Sequence, residues 1–129
     1  MWSVLSLEVI TGMTPVIPTA TISIQNGDGD NVKRGSGTGN GPISAVCTAI
    51  REATGEKFHL SNFKLEVNGT SHIGGEEDAI GGVFVQLEIG NRLFYGVGKS
   101  TDIIMAAAKA VIEAINQALT QKEGAHAPL

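Results

Sequence analysis

The sequence predicts an α+β fold: two duplicated strand-strand-strand-helix units, an antiparallel-rich sheet with two helices on one face, and a dimeric assembly. Three observations predict it. Apolar and polar residues alternate over six short runs, the period of a half-buried strand, and two longer runs carry apolar residues at helical spacing. The second half also repeats the first. A shift of 61 residues lays Gly35 and Gly37 on Gly96 and Gly98, Ala45 and Ala49 on Ala106 and Ala110, and Glu52-Ala53 on Glu113-Ala114. A shift of 58 lays LSLEV at 5–9 on FKLEV at 63–67. Helices on one face leave apolar residues on the other uncovered, and a closed twofold pair is the economical way to bury them.

The first strand is expected over Ser3 to Val9, with Leu5, Leu7 and Val9 on one face against Ser6 and Glu8. Pro15 and Pro18 argue against pairing in the connection TGMTPVIP. Thr19 to Gln25 alternates with Ala20, Ile22 and Ile24 inward, and NGDGD at 26–30 is hairpin chemistry. A short strand returns around Val32 and ends in GSGTGNG at 35–41. Pro42 then suits a first helical turn, and Ile43, Val46, Cys47 and Ile50 form one helical face that stops near Thr54-Gly55. The second copy runs through Phe63, Leu65 and Val67, a polar loop over 69–81, a strand from Gly82 to Ile89, a turn at Gly90-Asn91 and a return from Leu93 to Val97. Ser100, Thr101 or Asp102 can cap a last helix whose stripe is Ile104, Ala108, Val111, Ile115 and Leu119. Residues 1–120 read as one domain and 121–129 as a frayed tail.

Composition narrows the function. Of 129 residues 17 are Gly, about 13% against the ~7% of an average chain, without a G-X-Y repeat. Net charge is -4 and the densest basic pair is Lys33-Arg34, which speaks against a nucleic-acid partner. The single Cys47 makes no internal disulfide, and no run reaches the ~18 apolar residues of a spanning helix. A cytoplasmic domain that meets no membrane is expected.

The glycine run is not a phosphate loop. A G-x-G-x-x-G starting at Gly35 meets Asn40 where it needs Gly, and one starting at Gly37 meets Pro42. Gly98-Lys99-Ser100 ends like a P-loop, but Leu93 stands at the leading-glycine position. Two readings stay open. The glycines let a ligand's carboxylate approach first-turn N–H groups, or they only permit tight turns and close helix–sheet packing.

GNGPISAVCTAI at 39–50 resembles the GNGP-plus-helix signature of the C-terminal regulatory domain of the 2-isopropylmalate synthase family. GVGKSTDIIMAAAKAVIEAIN at 96–116 resembles that family's second signature, and Asp78-Ala79 followed by Gly82-Val83 its central GTDAxGxV stretch. The resemblance covers roughly residues 2 to 119, and citramalate synthase carries a similar domain. It implies an allosteric, homodimeric module that binds a branched-chain amino acid: leucine first, isoleucine as the alternative. A structural dimerisation domain without a ligand is the further alternative. Carried over residue by residue, the site it implies is Gly39, Asn40, Gly41, Pro42 and Ile43, with Leu60, Phe63 and Val67 lining an apolar wall and Ala79 beside it. Asp102 is either a helix cap or a contact to the ligand's ammonium group. The chain departs from the family pattern in a longer stretch between Val67 and Ala79 and in Glu77, where the family has threonine.

The family's acyl transfer relies on a metal held by an HxH pair and a carboxylate in a catalytic barrel. Here His59, His72 and His126 are scattered. No catalytic residue, metal site or cofactor is therefore expected on this chain, and a catalytic barrel in a longer chain is the implied partner. Cys47 reads as a core thiol. His72 with Glu76, Glu77 and Asp78 reads as a solvated acidic loop.

Overall fold

The computed structural model describes residues 1–27, 31–67 and 81–125, with Val67 and 122–125 described by their backbone. The elements are β1 (Trp2–Ile10), β2 (Thr19–Asn26), β3 (Val32–Thr38), α1 (Pro42–Thr54), β4 (His59–Val67), β5 (Gly81–Ile89), β6 (Arg92–Ser100) and α2 (Ile103–Ala125). This is the expected α+β succession of two strand-strand-strand-helix units. The antiparallel strands divide into two three-stranded sheets, β1-β2-β3 and β4-β5-β6, one for each repeat.

Each helix lies on the last two strands of its own repeat, α1 on β3 and β2, α2 on β6 and β5. Strand residues Ile22, Ile24, Val83, Val85 and Leu87 meet helix residues Val46, Ile50, Val111 and Ile115 in one continuous core. The helices touch each other, and α2 also reaches β1 of the other sheet. There the Asn116 side chain accepts from the Trp2 N–H at 2.8 Å and donates to the Trp2 carbonyl at 2.8 Å, so it fastens the two repeats. The stretch Ile103–Gln121 has the length and mean hydropathy, 1.3, of a membrane-crossing helix. Half of it is buried against the rest of the fold, which accounts for its apolar character.

Two sequence expectations shift. A bulge lies between Val4 and Ser6, so Val4, Leu7 and Val9 pack inward while Leu5 turns out and stays half exposed. A matching bulge lies between Leu60 and Asn62. Register therefore equates Leu7, opposite Ile22, with Phe63, opposite Val85, and Val9 with Leu65. The sequence match of LSLEV to FKLEV is two residues away from this structural equivalence. One extra residue in a strand reverses the facing of everything beyond it, and simple alternation does not reveal it.

The glycines supply the second shift. Gly35 and Gly37 belong to β3, and Gly96 and Gly98 to β6, rather than to turns before the helices. A Cβ on Gly96 would strike the Ala110 carbonyl and come within 2.9 Å of the Ala114 N. One on Gly98 would strike the Ala106 carbonyl and lie 2.7 Å from the Ala110 N. Gly35 stands in the same relation to Ala49 and Ala53 of α1, and a Cβ on Gly37 would meet the Thr48 side chain at 2.5 Å and the Ala49 N at 2.7 Å. Glycine on the strand and alanine on the helix let the two backbones pack directly on each other. α2 also runs to Ala125, past the Leu119 end of its apolar stripe, because no breaker precedes Gly124.

Candidate functional site

The two helix starts differ. Gly41 is the N-cap of α1 in extended backbone, with φ -156° and ψ 178°, and no side chain caps the helix. Pro42 follows at the first helical position, and the Ala45 N–H donates to the Gly41 carbonyl at 3.0 Å. An α-helix leaves its first N–H groups without partners inside the helix, and they form its positive end. Gly39 is held in place: its N–H donates to the Pro18 carbonyl at 3.2 Å, and an added Cβ would sit 2.6 Å from the Ala45 N. An added Cβ on Gly41 would meet nothing within 4 Å.

Asp102 stands at the corresponding position of the second repeat. Its Oδ1 accepts from the N–H groups of Ile104 at 2.9 Å and Met105 at 3.3 Å, and its own N–H donates to Ser100 Oγ at 3.1 Å. Of the two roles open to Asp102, the cap is the one the geometry displays.

Beside the turn into α1, a cleft of about 390 Å³ opens between the 12–18 connection and Gly39-Asn40. Asn40 is exposed, while Gly41, Pro42 and Ile43 are half-buried. The connection is a part of this surface that the motif reading missed. Its only sequence signal was a proline-bounded run with apolar residues, of which Met13 and Ile17 are exposed.

Leu60 and Phe63 are brought to one face by the β4 bulge and pack half-buried against the core. Val67 closes the strand opposite Gly81. Ala79 lies outside the described residues, as do His72, Glu76, Glu77 and Asp78. The structure thus gathers the expected residues into two groups in different repeats, Gly39–Ile43 at α1 and Leu60, Phe63 and Val67 on β4. The 390 Å³ cleft is lined by part of the first group and by none of the second. Among the described residues no three of His, Cys, Asp and Glu come together as metal ligands. Cys47 is buried on α1, and burial raises its thiol pKa above 9.0, with the Arg51 charge opposing part of that rise.

Residues 1–119 match the family described as the LeuA allosteric (dimerisation) domain. The chain belongs to this family. Its relatives include the 2-isopropylmalate synthase of Thermus thermophilus, 35% identical over 113 residues, which are 88% of this chain and 32% of the relative. The enzyme of Pyrococcus furiosus is 37% identical over 112 residues, 87% of this chain and 21% of the relative. That of Shewanella frigidimarina is 34% identical over 110 residues, 85% of this chain and 20% of the relative. The chain therefore spans between a fifth and a third of these relatives, in keeping with the LeuA domain as the regulatory part of a larger synthase.

Proposed function

We propose that this chain is the effector-sensing, dimerising part of a cytoplasmic 2-isopropylmalate synthase and binds a branched-chain amino acid, leucine before isoleucine or valine. The observation that carries the reading is the pair of helix starts: α2 is capped by its own Asp102, whereas α1 begins at Gly41-Pro42 with no side-chain cap. An amino acid's carboxylate suits such a start, because first-turn N–H groups and the helix dipole favour an anion. Leu60 and Phe63 supply an apolar wall for a branched side chain, and the family motif adds Val67 and Ala79 to the proposed site. Asp102 has its second oxygen, Oδ2, for the ammonium group.

These groups lie in different repeats, so the reading assigns the α1 start and the β4 wall to two copies of the chain meeting across a twofold. An effector held by both copies stabilises one arrangement of the pair. In a longer chain it biases attached catalytic domains by its differential affinity for their states.

The close glycine–alanine packing explains four glycines without any ligand and favours a second reading, a structural dimerisation domain. Thermal melts with leucine, isoleucine, valine and no addition separate the two. An effector at 100 times its dissociation constant adds about 2.7 kcal/mol, a rise on the order of 10 °C for a domain of this size. The largest shift is expected with leucine. A largest shift with isoleucine assigns the domain to the citramalate synthase type, and no shift with any of the three at millimolar concentration leaves the structural reading.

A further inference from the structure

Two joints link a helix to the strand that follows it around the fold, α1 to β4 and α2 back to β1, and they are built differently. α1 stops at Thr54, Gly55 takes a left-handed backbone with φ 75°, and the chain itself crosses to Phe58, directly ahead of β4. Phe58 is buried, Arg51 Nε donates to its carbonyl at 3.0 Å, and the Arg51 guanidinium lies 4.5 Å from the centre of its ring. Strand register sets Trp2 where Phe58 stands. Val4 faces Ile24 as Leu60 faces Leu87, and each aromatic lies two residues earlier. The helix shift of 61 sets Asn116 where Gly55 stands. α2 runs on past that point, and the Asn116 side chain reaches across to Trp2. Its Oδ1 accepts from the Trp2 N–H and its Nδ2 donates to the Trp2 carbonyl, both at 2.8 Å. A side chain does at the second joint what the backbone does at the first.

We infer that the Trp2–Asn116 joint is a latch: closed, it holds the first sheet against α2, and open, it frees the first repeat to turn on the contact between the two helices. This goes beyond the effector reading and does not depend on it. The strands of the two sheets do not pair with one another, and the repeats meet mainly at α1 on α2 and at α2 on β1. Release of the second contact therefore leaves the helix pair as a pivot. The joint is also loosely packed. Trp2 is half-buried, and grooves of about 240 and 370 Å³ flank the clasp along α2, both lined by Met1, Glu113 and Asn116. Closely packed side chains resist displacement because each lost contact goes unreplaced, and a water-filled groove lowers that resistance. Opening leaves no polar group buried without a partner, since the Trp2 backbone groups and the Asn116 amide all meet groove water. The strand end moves with its own sheet: Trp2 pairs with Asn26, and the Gly27 N–H donates to the Met1 carbonyl at 3.1 Å. A ligand or partner that prefers one angle between the repeats shifts the latch by its differential affinity.

The test releases the clasp and keeps the helix. Asn116→Leu preserves the size of the side chain and suits a helix interior, but it removes both bonds to Trp2. Hydrogen exchange is read on the full chain with no amino acid added. In wild type the Trp2 amide should exchange at least tenfold faster than the buried amides of Val46 and Val85, after correction for intrinsic rates. In Asn116→Leu it should speed at least tenfold again, with Val46 and Val85 unchanged. Trp2 is the only tryptophan in the chain, so its fluorescence should become more open to acrylamide in the same variant. Equal acceleration at all three amides, or none at Trp2, overturns the latch. Spin labels at Lys33→Cys and Lys99→Cys, with Cys47→Ala to leave no other thiol, then read the angle between the repeats. A second inter-label distance should gain population in Asn116→Leu. A single unchanged distance means that the strand end frays alone, and it overturns the turning of the repeats.

Discussion

Gly41 and Asp102 hold the same position in the two repeats, yet only Asp102 closes its helix with a side chain. The repeats otherwise share their packing devices. Each has two strand glycines under two or three helix alanines. Each has a helix glutamate on the free edge of its last strand, Glu52 accepting from the Ser36 N–H at 3.1 Å and Glu113 from the Val97 N–H at 3.4 Å. What the repeats share is what the backbone arrangement needs to close. What they do not share is the helix start, closed by a side chain in the second repeat and left open in the first.

The largest expected effect tests the shared part. Gly96→Ala and Gly35→Ala each press a methyl into helix backbone, against Ala110 and Ala49 respectively. Overpacking with no flexible neighbour to yield costs about 3 kcal/mol or more, a fall in Tm of roughly 10 °C or more by circular dichroism. Gly41→Ala, with open space and extended backbone, should cost no more than about 1 kcal/mol, the disadvantage of alanine against glycine at an N-cap. Equal losses at Gly41 and Gly96 would break the distinction between packing glycines and the open start.

The second test exchanges the caps. Asp102→Ala should cost about 1 kcal/mol, the usual value of an N-cap. Gly41→Ser should add about 0.3 kcal/mol in the absence of effector, because glycine is only slightly worse than serine at this position. It should also remove the leucine-induced rise in Tm, since the added hydroxyl occupies the N–H groups assigned to the carboxylate. A full leucine response in Gly41→Ser moves the effector away from α1.

Much of this architecture was legible because it is periodic. The alternation of Ala20, Ile22 and Ile24 and the spacing of Val46, Cys47 and Ile50 report burial directly, and the shift of 61 joins the two helix starts. Bulges are not periodic, so alternation alone puts Leu5 on the wrong face and matches β4 to β1 two residues out of register. The glycines misled for a different reason. Glycine before a helix and glycine beneath a helix look alike in sequence, and only the approach of Ala106, Ala110 and Ala114 separates them. The candidate site was legible as motifs, not as geometry: Leu60 and Phe63 share a face only because of the bulge.

A smaller contrast lies inside the helices. Cys47 and Ala108 correspond under the same shift and are both buried. Cys47→Ala removes one core atom and should cost about 1 kcal/mol. The thiol pKa is raised in the fold by burial, with Arg51 opposing. Folding therefore favours the protonated form, and the thiol's contribution is complete below the unfolded value and lost as pH rises through the folded one. Stability should fall as pH climbs past 9.0 in wild type, and that part of the decline should vanish in Cys47→Ala.

The smallest expected effect concerns the two edge glutamates. Glu52→Ala and Glu113→Ala each release an edge N–H to water, and an exposed hydrogen bond to a charged group contributes on the order of 0.5 kcal/mol. Glu52 makes the shorter bond, so its loss should be the greater of the two. Glutamine at either position keeps an acceptor oxygen and should recover part of the stability, which a purely electrostatic role for the carboxylate would not allow. A bare strand edge is also a template for pairing with another chain. Light scattering at high concentration should therefore rise in the alanine variants and stay low in the glutamine ones. Equal scattering in both would show that the carboxylate charge, rather than occupation of the N–H, keeps these edges from pairing.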